Sequence, residues 1–181
     1  MRLFIGIPLA TAVVEELSRV SRDLRSERDG LRWSSPESWH ITLQFLGETS
    51  QERYGCVLLH LRELHSQRAA LSLEGLGFFD RAGVFFAGVI VSPELLALQQ
   101  RVNAATARCG FTPEDRPFHP HVTLARVKGD RSGKVLRSLK ARMHRQPQFT
   151  GFTASEFLLY EAFRGPGGSR YEVRERFALQ L

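Results

Sequence analysis

Two short segments carry residues able to work on a phosphate, His40-Ile41-Thr42-Leu43 and His121-Val122-Thr123-Leu124. Breaking a P–O bond with water requires one proton to be taken from the nucleophile and another to be given to the departing oxygen. Imidazole, with an ordinary pKa near 6.5, does either job near neutrality, and each such assistance contributes roughly 10²–10⁴ in rate. Two histidines, one protonated and one not, form a complete acid–base pair. Thr42 and Thr123 add hydroxyls two residues away, suited to binding the non-bridging phosphoryl oxygens and stabilising the charge that develops there. A single His-x-Thr-Leu is commonplace. Two are poorly explained by packing, because an imidazole or hydroxyl buried without a partner costs free energy.

In a strand the side chains alternate between faces. His40, Thr42 and Gln44 are therefore expected on one face, with Ile41, Leu43 and Phe45 on the core face. Likewise His121 and Thr123 project together, opposite Val122 and Leu124. Arg126 falls by strict alternation on the face away from His121, so either a bulge turns it toward phosphate or it forms a structural ion pair. His119, two residues before His121, is a supporting candidate. With His121 and His40 it also raises a three-histidine metal site, but no Asp or Glu stands at ligand spacing and no metal is expected.

The elements that must hold these residues repeat. His121 lies 81 residues after His40, and the same offset relates Thr42 to Thr123, Leu43 to Leu124, Pro36 to Pro117, Phe4 to Phe85 and Leu17 to Leu98. Leu76, Phe78 and Phe79 fall on Phe157, Leu159 and Tyr160. Periodicity predicts a strand over 2–8, a helix from Thr11 (as N-cap) to about 26, a loop over 27–37, the motif strand 39–46 and a helix over 50–67. Strands near 70–80 and 83–91 follow, joined by a turn at Asp80-Arg81-Ala82-Gly83. A helix from Pro93 to about Cys109, the second motif strand from His121 to Val127, a basic helix over 131–144 and a hairpin turning at Gly165-Pro166-Gly167-Gly168 complete the chain. The expected architecture is α+β and bilobal: a single domain built of two pseudo-two-fold units, roughly 1–81 and 82–181, each an antiparallel sheet with flanking helices, and a cleft between them.

With 181 residues and 43% apolar content the chain can bury a core unaided. Lys and Arg outnumber Asp and Glu by 25 to 19, and the sequence pI near 10.0 favours polyanionic partners. Cys56 and Cys109 lack C-x-x-C spacing, which suggests neither a disulfide framework nor a cysteine zinc site and fits a reducing cytoplasm. The first twelve residues have the outline of a secretory signal, but Gly6 and Pro8 break the apolar run, which reads better as an opening strand. No run reaches the roughly 20 apolar residues of a membrane-spanning helix.

Trp33, Trp39 and Phe118 stand beside the motif strands, where a ring either stacks on a base or packs in the core. Arg32, Arg116, Lys128 and Arg131 border the motifs and are candidates for steering RNA. His60, His65 and His144 fall in helical stretches apart from the repeat and read as surface residues.

The paired motifs, with Phe45-Leu46-Gly47 after the first and His119-Pro120 before and Ala125-Arg126 after the second, resemble the 2H phosphoesterase superfamily. Within it the likeness is to the RNA 2',3'-cyclic phosphodiesterases, also called 2'-5' RNA ligases. It extends from Leu3-Phe4-Ile5 to Gly168-Ser169-Arg170-Tyr171-Glu172-Val173. The resemblance implies a bilobal fold and cofactor-free hydrolysis of a terminal RNA 2',3'-cyclic phosphate to a 2'-phosphomonoester. It also implies His40 as proton donor and His121 as proton acceptor, and extends to joining or cleaving 2'-5' linkages of tRNA halves. The expected partner is RNA with a 2',3'-cyclic phosphate end, met by a monomer. Three alternatives stand beside this: an RNA-end-binding module without turnover, a metal-dependent phosphodiesterase, and an enzyme for small cyclic nucleotides.

Overall fold

A computed structural model describes residues 1–129 and 132–180. In chain order the elements are β1 (Arg2–Pro8), α1 (Thr11–Leu24), β2 (Leu31–Trp33), β3 (His40–Glu48), α2 (Gln51–Arg62), β4 (Ala69–Leu71) and β5 (Leu73–Phe79), then β6 (Val84–Val89), α3 (Pro93–Ala107), β7 (His121–Val127), α4 (Ser132–Arg142), β8 (Phe152–Ala154), β9 (Glu156–Gly165) and β10 (Gly168–Ala178). The chain is α+β, with two four-stranded antiparallel sheets ordered β10-β9-β1-β3 and β2-β7-β6-β5, and a small β4-β8 pair.

The sheets do not follow the midpoint of the sequence. β5 pairs with β6, β9 with β1, and β2 with β7, so each sheet takes strands from both halves. The motif strands keep the 81-residue offset, but β1 and β6 do not. Gly6 lies opposite Thr42 and Phe86 opposite Thr123, while Ile5 faces Gln44 and Phe85 faces Ala125. Phe85 is thus the ladder equivalent of Ile5, one residue from the expected Phe4.

Alternation explains the layering. On β1, Leu3, Ile5 and Ile7 enter the main core with Ile41, Leu43, Val122, Leu124, Phe85, Phe157 and Leu159. Phe4 turns to the other face and packs with Leu158 and Tyr160 in a separate small cluster. That second cluster becomes the floor of the site.

Several boundaries differ from the periodic reading. The 27–37 loop contains β2, whose three residues are too few to show a period and whose pairing with β7 is non-local. The single strand near 70–80 is two, split at Ser72, whose carbonyl accepts from Ile90 N. Helix α2 ends at Arg62, and Thr11 is the first helical residue after the extended N-cap Ala10. Arg131 lies outside the described residues.

The expectation of unpaired thiols is also corrected: Cys56 on α2 and Cys109 beyond α3 form a disulfide across 53 residues. Only tertiary packing of α2 on α3 brings them together, so local spacing carried no trace of it. Reducing this bond in the presence of a chelator is expected to lower the unfolding free energy by about 2–4 kcal/mol, through the greater freedom of the unfolded chain. A denaturant midpoint that does not move on reduction would count against that contribution. Among the described residues, no helix is long and apolar enough to cross a membrane.

Candidate active site

β3, at the edge of its sheet, lies against β7 of the other sheet, which brings the two His/Thr pairs toward one cleft. His40, Thr42, His121 and Thr123 are all half-buried, while Ile41, Leu43, Val122 and Leu124 are sealed in the core. The expected sharing of faces holds through all four residues of each motif.

It then breaks, in the same way twice. On β3 the ladder slips at Leu43, and on β7 it slips at Leu124. Each slip is a bulge that inserts one residue and reverses the alternation beyond it. Gln44 is therefore turned inward, 6% exposed, where its Oε1 accepts a 2.7 Å hydrogen bond from the Thr106 hydroxyl of α3. Phe45 turns outward onto the His40 face, 60% exposed. Arg126 is exposed on the His121 face beyond the bulge, and among the described residues it forms no ion pair. Phe45 and Arg126 stand at the same offset of 81, so the repeat presents an aromatic ring on one side and a guanidinium on the other.

The imidazoles are held alike. His40 Nδ1 lies 2.8 Å from the Ser38 carbonyl, and His121 Nδ1 lies 2.8 Å from the His119 carbonyl. A carbonyl only accepts, so Nδ1 carries the hydrogen in both rings and the neutral form leaves Nε2 as the basic atom. His40 Nε2 meets the Thr42 hydroxyl at 3.1 Å. Among the described residues, His121 has no such bond to Thr123. His119 contributes its backbone rather than its ring, which packs edge-on to Phe79.

Aromatic rings floor both sites. Around His40 stand Phe4, Tyr171 and Tyr160, with centroids at 4.6, 5.2 and 5.7 Å. Around His121 stand Phe79 and Phe86, at 5.0 and 5.3 Å. Phe79 and Tyr160, matched at the 81 offset, thus serve equivalent places beside opposite histidines. Gly6 makes room for the first ring: a Cβ there would sit 2.9 Å from the Ile41 carbonyl oxygen and 3.3 Å from His40 Cδ2.

Burial among these rings sets the electrostatics. It pulls His40 down from its ordinary value to about 4, against the bond to the Ser38 carbonyl, and the charge of His121 pushes the same way. His121 is lowered too, first by burial and then by the charges of His119 and Arg126, against its bond to the His119 carbonyl. Tyr160 is pushed up to about 12 by burial and stays a neutral phenol. Both shifts favour neutral imidazoles near pH 7.

The other expected residues fall outside this chemistry. Trp39 is buried, Phe118 packs against the core, and Trp33 donates its Nε1–H to Asp29 at 2.8 Å beneath the Arg25 guanidinium, so none offers a free ring. Arg116 pairs with Glu114, and Lys128 is exposed. Among the described residues, His40, His119 and His121 do not bring ligand atoms within mutual reach. The group that does is Cys56, His60 and Cys109, whose two sulfurs are bonded to one another. Phe45 and the rings of the floor were missed in the sequence; the offset that links Phe45 to Arg126 was the available signal.

The family model of the 2'-5' RNA ligase superfamily matches residues 10–165. An RNA 2',3'-cyclic phosphodiesterase of Archaeoglobus fulgidus is 30% identical over 175 residues, covering 95% of this chain and 97% of the relative. One from Escherichia coli is 30% identical over 180 residues, covering 98% and 96%. The structure of E. coli LigT complexed with 3'-AMP matches with a TM-score of 0.83 at 28% identity, covering 99% of this chain and 98% of that one. Sequence and fold agree over nearly the whole chain, which belongs to the 2'-5' RNA ligase superfamily.

Proposed function

We propose that this protein opens RNA 2',3'-cyclic phosphates to 2'-phosphomonoesters by acid–base catalysis with His40 and His121. The observation that carries the reading is the matched pair of imidazoles, each fixed through Nδ1–H to a backbone carbonyl with Nε2 left for chemistry. Relatives that cover nearly the whole chain are named for this activity. In the proposed step, His121 Nε2 removes a proton from water as it attacks phosphorus. His40, protonated once the phosphate anion is bound, gives its Nε2 proton to the departing 3' oxygen. Thr42 and Thr123 hold the non-bridging oxygens, and Phe45 offers a face to the terminal base. With a 5'-hydroxyl in place of water the same groups in the same roles join a 2'-5' linkage, and microscopic reversibility exchanges the roles when that linkage is cleaved.

The test is to incubate the protein with RNA ending in a 2',3'-cyclic phosphate, with and without EDTA, and identify the product end. A 2'-phosphate formed equally in both supports the reading. Substrate that survives while bound indicates an end-binding module. Loss of activity in EDTA, restored by a divalent ion, indicates metal chemistry.

A pH profile follows from the lowered imidazoles. Turnover needs one ring protonated and the other neutral, and in the free protein that state peaks between two pKa values that both lie below 6.5. The kcat/KM profile is expected to be a bell with its maximum on the acid side of 6.5, whereas kcat, which reports the anion-bound state, holds to higher pH. A kcat/KM maximum above pH 7 would contradict this electrostatic account.

A further inference from the structure

Arg32 on β2 lies directly opposite Arg126 on β7. Residues directly opposed in an antiparallel ladder project from the same face, and like charges placed so are destabilising. Both arginines are exposed, and among the described residues neither has a carboxylate within ion-pair distance. The face they share is the one the Leu124 bulge gave to His121 and Thr123, and the Arg126 charge acts on His121. Arg32 also reaches the other sheet: the position a Cβ would take on Gly168, at the β9–β10 turn, is 3.7 Å from Arg32 Cδ. Its side chain thus stands where the two sheets meet. Two guanidiniums crowded on one face at a phosphate-handling site are relieved by an anion between them, and their planar forks suit phosphate oxygens.

We propose that Arg32, paired with Arg126, forms a second phosphate subsite that takes the phosphodiester joining the terminal nucleotide to the one before it. This deepens the proposed function by making the substrate an RNA end rather than a free nucleoside cyclic phosphate. The terminal cyclic phosphate occupies the His/Thr pairs, and the next phosphate along the chain meets Arg32. A mononucleotide has no such phosphate and gains nothing from the residue.

The experiment compares wild type, Arg32→Ala and Arg32→Lys on a short RNA with a 2',3'-cyclic end and on a nucleoside 2',3'-cyclic phosphate. For Arg32→Ala, kcat/KM on the oligonucleotide is expected to fall at least about tenfold while the mononucleotide value stays within about twofold, as fits the loss of one charge-assisted contact. The slope of log(kcat/KM) against log salt on RNA should decrease by about 0.7, the share of one phosphate on a single strand. Arg32→Lys should fall between, keeping charge but losing the fork. Equal loss on both substrates, or no loss on RNA, overturns the subsite. Wild type that turns over neither substrate defeats the proposed function instead, and the unchanged mononucleotide rate of Arg32→Ala serves as the control for folding.

Discussion

Replacing His40 or His121 by alanine is expected to lower kcat on RNA with a 2',3'-cyclic end by at least about a hundredfold, the lower range for loss of a general acid or base. Each ring is half-buried and anchored through one bond to a backbone carbonyl, so its removal leaves the sealed core of Ile41, Leu43, Val122 and Leu124 untouched. Circular dichroism should confirm an intact fold in both variants. Their roles separate on an activated aryl phosphodiester, whose phenolate leaves without needing a proton. His40→Ala should lose far less on that substrate than on the cyclic phosphate, whereas His121→Ala should lose as much on both. The reverse pattern would exchange the labels of donor and acceptor, and near-normal turnover of the cyclic phosphate in either variant would remove the pair.

What could be read in the sequence was whatever a local period encodes. The His-x-Thr-Leu segments alternate over four residues, long enough to assign His40 and Thr42 to one face and Ile41 to the other, as found. Helices α1 and α3 were similarly plain because Val13, Leu17 and Leu24, and Leu95, Leu98 and Val102, recur at helical spacing and all enter the core. Alternation failed one residue beyond each motif. A bulge is a property of two strands in register, and nothing within Leu43-Gln44-Phe45 states which residue β1 leaves unpaired. Yet the failure is informative. It moves the apolar Phe45 to the surface and the polar Gln44 inside, a pattern that makes little sense for packing alone.

Long-range features were illegible for a related reason. The Cys56–Cys109 bond, the pairing of β5 with β6 and the approach of Arg32 to Arg126 all join segments whose separation the sequence alone cannot convert into distance. The one-residue difference between the β1/β6 and β3/β7 offsets has a direct consequence at the site. It sets Gly6 beside His40 where Phe86 stands beside His121, so two nearly symmetric imidazoles meet different surroundings. On the proposed mechanism, this asymmetry lets one fold repeat supply both an acid and a base.

Thr42→Val and Thr123→Val are each expected to lower kcat by about 10²–10³, as removal of a donor aimed at developing phosphoryl charge does elsewhere. Valine keeps the branched shape and strand preference of threonine, so the change deletes a hydroxyl from a half-buried position with little effect on packing. The serine variants retain the donor and should remain within about tenfold of wild type. The Thr42 hydroxyl meets His40 Nε2 at 3.1 Å, so on the proposed mechanism it turns to the phosphate as that nitrogen takes up its proton. If both hydroxyls hold oxygens of one phosphate, the double valine variant should lose less than the product of the two single losses, because the second removal acts on a phosphate already misplaced. A rise in KM with kcat unchanged would instead assign the threonines to ground-state binding alone, and equal losses in valine and serine variants would trace the effect to shape rather than to the hydroxyl.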